Sequence, residues 1–120
     1  MARAEGGFPL PAILIWAAAF RLTVFFAEPS FSDDLYRMRW EGMVAAAGEN
    51  PYALRPASIE ALQFRDHTWP MVDGKDFKAV YGPLLQSAQW ASFAAGGGKL
   101  WAIKLGACAA ELAIVGLLLA

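Results

Sequence analysis

Residues 8–27 read FPLPAILIWAAAFRLTVFFA, a run from Phe8 to Ala27 whose sole charge is Arg21. A helix needs roughly 20 mostly apolar residues to cross a bilayer, so this run predicts a first transmembrane helix. Arg3 ahead of an apolar stretch also fits a cleaved signal peptide. The apolar core is too long for one, however, and Ala27-Glu28-Pro29 makes a poor cleavage site. An uncleaved span fits better.

Working outward, the composition agrees. Apolar residues make up 58% of the chain and charged residues 18%, against about 45–50% and about 25% in soluble domains. Most of the charges fall between Glu28 and Lys78, and both flanks are nearly free of them. Such blocks describe membrane, polar loop, membrane. Residues 100–120 form a second apolar run, interrupted by Lys104 and Glu111. The chain stops within it, as expected of part of a larger membrane protein. Residues 83–95 are helix-like but short and semi-polar, with Gln86, Ser87, Gln89 and Ser92, and need helical neighbours. Gly96-Gly97-Gly98 predicts a tight turn. The expected fold is all-α: a polytopic membrane protein with transmembrane helices at 8–27 and 100–120. Between them lie an extracytoplasmic loop of short helices at 28–82 and a short membrane helix at 83–95.

Orientation follows from lysines and arginines. Lys99 and Lys104 flank the glycine turn and Arg3 precedes the first span, which puts the N-terminus and the turn in the cytoplasm. The loop carries basic residues of its own but is long enough to escape that rule. Both spans then leave the inner face. Arg21 and Glu111 would lie about 20 Å and about 16 Å deep at 1.5 Å per residue, close enough in depth to pair. The net charge of −1 offers no basic field for nucleic acid. Cys108, the single cysteine, excludes an internal disulfide.

Just beyond the first apolar run stands SDDLYRMRWEG, Ser32 to Gly42. Ser32 is a good N-cap and Asp33 and Asp34 suit the first turn of a helix. That helix runs to Ala47 and stops at Gly48, with Pro51 close behind. A second short helix starts from Ser58. Trp69-Pro70 and Asp73-Gly74 are turns. Carboxylates at the end of a membrane span are costly unless they are used. The acidic pair can cap the helix, with Arg37 bracing it at i+3 or i+4. It can also act as a general base or hold a divalent cation.

The motif SDDLYRMRWEG, with Asn50-Pro51-Tyr52 and Tyr81-Gly82-Pro83 after it, resembles bacterial integral-membrane glycosyltransferases of the C superfamily. It is most similar to the mannosyltransferase-like members that use polyprenyl-phosphate sugars. The resemblance covers roughly Arg21 to Glu111 and only the N-terminal portion of such an enzyme. Met38, Met43 and Gly82 depart from it, standing where an aromatic, a basic residue and a proline are usual. It implies an enzyme of the cytoplasmic (inner) membrane that moves a sugar to a glycan or lipid acceptor on the outer side. It also implies that a loop aspartate takes the acceptor's proton: Asp33, with Asp34 in support.

The remaining candidates keep two readings each. Arg37 and Arg39 can contact a phosphate, or brace the acidic pair and face solvent. Tyr36 and Trp40 can stack on a sugar or form an interfacial aromatic belt. Arg21 can meet the donor's phosphate or pair with Glu111. His67 suits an ordinary surface position, and the triple glycine lacks the flanks of a phosphate loop. Two other classes compete with the enzyme: a non-catalytic scaffold or subunit, and a transporter fragment drawing on Arg21 and Glu111.

Overall fold

The computed structural model describes residues 9–29 and 32–119, and these are helical wherever they are regular. Arg3 and Phe8 lie outside them. The first helix, α1, is Leu10–Phe26; Pro9 and Pro11 open it, where a missing N–H costs nothing. It ends before Glu28-Pro29, since a residue preceding proline leaves the helical region. Its 17 residues reach about 25 Å. The last helix, α4, is Leu100–Leu119. Among the described residues, α4 is the helix long and apolar enough to cross a membrane, and α1 is an apolar helix of shorter length.

Between them sits a head built on two helices, α2 at Asp34–Ala46 and α3 at Pro83–Gly96. Two 3₁₀ helices, Ile59–Phe64 and Trp69–Met71, cover the far side of α2. The expected stops are where the backbone needs them. Gly48 takes φ +83° after α2, and Gly97 and Gly98 take φ +59° and +77° after α3, angles that side chains with a Cβ avoid. Ser32, the expected N-cap, still bonds the helix start through Oγ to the Asp34 N–H at 3.2 Å, although Asp33 holds the cap position.

The two faces of α2 explain the head. Trp40 and Val44 point into a small core with Ala61, Phe64 and Val72, and Tyr36 and Met43 pack at its edge. Trp40 meets Phe64 edge-on at 6.4 Å between ring centres. The opposite face carries Gly42 against α3: a Cβ there would stand 2.6 Å from the Gln89 carbonyl oxygen. The head is therefore three layers, α3 beneath α2 beneath the 3₁₀ helices.

The helix pair corrects the expected topology. Arg21 of α1 meets Glu111 of α4, while Ala27, just past the end of α1, meets Lys104. Moving forward along α1 thus means moving back along α4, so the two are antiparallel. The glycine turn then lies at the same end as the head, not across the membrane from it. Arg39 of α2 fixes the turn there, donating from Nε to the Gly98 carbonyl at 2.6 Å. Lys104, counted as a cytoplasmic flank, instead donates to the Val24, Phe25 and Ala27 carbonyls at 3.3, 3.2 and 2.5 Å. An ammonium suits the negative end of a helix dipole.

Candidate functional site

The charges of the 32–42 motif divide into two groups. Arg37 is 7% exposed and Glu41 fully buried. Arg37 donates from Nε to Glu41 Oε1 at 2.8 Å. Its other nitrogens hold the Gly74 and Phe77 carbonyls at 2.7 and 2.8 Å. Gln86 of α3 donates to the second oxygen of Glu41 at 2.5 Å. Arg37 therefore does not brace the acidic pair. It points along α2 toward Glu41, because that pairing closes the 73–77 turn over the helix and leaves no buried charge alone.

Arg39 is spent in the same way. Beyond Gly98 it reaches Asp66 at 2.7 Å and Thr68 Oγ1 at 2.8 Å, so it is neither solvated nor open to a phosphate. Burial pushes the Asp66 carboxyl up, but hydrogen bonds from Thr68 and Arg39 outweigh it and hold the group below the usual aspartate range. Trp40, 1% exposed, is core rather than sugar platform or belt, and Tyr36 packs beside it. Arg21 lies on Glu111 with Nε 2.7 Å from Oε2, which answers its charge without a donor phosphate. His67 is exposed, 4.0 Å from Asp66.

Asp33 and Asp34 are what is left. Both are exposed at the start of α2, a few residues beyond Ala27 and the Lys104 cap. Asp34 opens onto a cleft of about 180 Å³ shared with Asp73, Lys78 and Tyr81 and floored by Arg37 and Glu41. Burial raises the Tyr81 phenol pKa, and the negative charges of Asp34 and Glu41 raise it further against the pull of Arg37. Tyr81 thus stays a hydrogen-bond donor at neutral pH. No group of three or more histidines, cysteines or acids draws together among the described residues. A cation held by Asp33 and Asp34 would take its other oxygens from water or phosphate.

The role of Tyr81 was not legible in advance, though its motif was. The Tyr52 hydroxyl donates to the Tyr81 carbonyl at 2.6 Å, so the Asn50-Pro51-Tyr52 turn is tied to Tyr81-Gly82-Pro83, whose Tyr81 lines the cleft. A tyrosine beside each proline turn was the available signal. Compared with known families, curated proteins and solved structures, the chain matches none.

Proposed function

We propose that this chain is the N-terminal part of a membrane glycosyltransferase that moves a sugar, mannose by resemblance, from a polyprenyl phosphate to an acceptor hydroxyl. By the same resemblance, the transfer takes place on the outer side of the cytoplasmic membrane, in a multi-pass protein. One observation carries the reading: Arg37, Arg39 and Glu41 are buried and satisfied, while Asp33 and Asp34 stay exposed at the start of α2, a few residues along the chain from the end of α1.

In this mechanism Asp33 accepts the acceptor's proton as its oxygen bonds to the sugar's anomeric carbon. The bond from that carbon to the lipid phosphate breaks, and the phosphate leaves with the electron pair. Asp34, in the cleft with Lys78 and Tyr81, orients the acceptor through their donors. The test is transfer of radiolabelled sugar from polyprenyl-phosphate mannose to endogenous acceptors in membranes of cells carrying or lacking the native gene. Loss of a labelled product with the gene supports the reading, and identical products in both refute it.

A further inference from the structure

The helix α3 is built inside out. Its buried side chains are amides: Gln86 and Gln89 face α2, Gln89 only 2% exposed, with Gly96 buried at the turn and Phe93 half-buried against Gly42. Its outward positions are mostly apolar: Leu84 is 87% and Trp90 49% exposed, and Ala88 and Ala91 lie open beside them, while the one exposed hydroxyl, on Ser87, is turned back to the Pro83 carbonyl at 2.9 Å. No acidic or basic residue occurs anywhere in its 14 residues. A helix washed by water has the reverse pattern, with apolar side chains toward its neighbours. A helix against acyl chains gains by turning its amides inward and its leucines and alanines out.

The surroundings name the occupant. Through the turn at Gly97 and Gly98, α3 folds back against α4. Ser92 sits where a Cβ on Gly106 would be 3.0 Å from its Oγ. Gly106 lies just past Lys104, whose ammonium marks the end of α1. The outward face of α3 is therefore continuous with the rim of the apolar helix pair. Trp101, 44% exposed, stands at the same rim, where tryptophan favours the lipid–water boundary. Lys78 and Lys99, both exposed, bracket α3 and suit headgroup phosphates.

We propose that α3 lies in the membrane interface, its Leu84–Ala91 face set into the lipid and its glutamines turned up to α2. The head would then rest on the bilayer, with the 3₁₀ layer farthest from it. This inference does not depend on the enzymatic reading.

Site-directed spin labelling tests it. The chain carrying Cys108→Ser is reconstituted in vesicles of phosphatidylcholine and phosphatidylglycerol, with a label at Ala91→Cys, Ala88→Cys or Ile59→Cys. Ile59, 80% exposed on the 3₁₀ layer, is the water-facing reference. Labels at positions 88 and 91 should collide more with oxygen than with a water-soluble nickel chelate, and the order should reverse at position 59. A nickel-favoured signal at both α3 positions would overturn the proposal. So would shielding from both reagents, which would mean that protein covers the face. Helical circular dichroism matching the unlabelled chain shows that each variant folds.

Discussion

Arg21 Nε lies 2.7 Å from Glu111 Oε2, and two turns nearer the head Lys104 holds the last carbonyls of α1. These contacts set the depth and direction of α1 against α4. An unpaired charge within a membrane helix costs up to about 3 kcal/mol on insertion scales. Glu111→Gln should therefore lower the thermal stability of the chain, and adding Arg21→Gln should recover most of the loss. Thermal melts of the two variants in detergent and in vesicles measure it. Additive losses would mean that the two charges do not depend on each other.

The antiparallel arrangement has a consequence for labelling. In a Cys108→Ser background, cysteines at Ser58 and Lys99 should both react with a membrane-impermeant thiol reagent from the same side. Charge counting around Lys99 and Lys104 predicts opposite sides. Labelling of intact cells against everted vesicles distinguishes the two.

The buried pair Arg37–Glu41 gives a third expectation. Glu41→Gln leaves the Arg37 guanidinium without its carboxylate. Removing one partner of a buried pair costs about 3–5 kcal/mol, so the 73–77 turn should open to limited proteolysis. Gly42→Ala acts on the same interface by overpacking, at about 1–3 kcal/mol, because its Cβ would meet the Gln89 carbonyl.

Acid should loosen the join between the 3₁₀ layer and the glycine turn. The Asp66 carboxyl is held low in the folded chain by Thr68 and Arg39, against its burial. Its contribution to stability is therefore complete above the unfolded aspartate value, about pH 4, and is lost as pH falls through the lower folded value. Asp66→Asn should destabilise the head at neutral pH and flatten that part of the acid transition. A melt series at successive pH values measures the slope.

The helices and turns were legible because their signals are local: the unbroken apolar run of α1, Gly48 and the triple glycine closing α2 and α3. The pairing of Arg21 with Glu111 was also legible, from depth alone, although the assumed directions were wrong. Lys104 misled because its type signals a cytoplasmic flank, whereas its ammonium serves the end of α1. Arg37, Arg39 and Trp40 misled for a related reason. In sequence they lie beside the acidic pair, and only the chain from Arg55 to Lys78 and the glycine turn at Gly98, both folding against α2, decide that they are covered. Asp33 and Asp34 escape because that cover stops short of the first turn of α2.

The central claim is that Asp33 takes the acceptor's proton, and its replacement tests this most directly. Asp33 is exposed at the helix cap, so Asp33→Asn should leave expression and melting temperature unchanged. Sugar transfer from polyprenyl-phosphate mannose, measured in membranes bearing the native protein or the variant, should fall by about 10²–10⁴-fold, the worth of a general base. Asp34→Asn should cost less. Transfer by Asp33→Asn within a few-fold of the native rate would contradict the account.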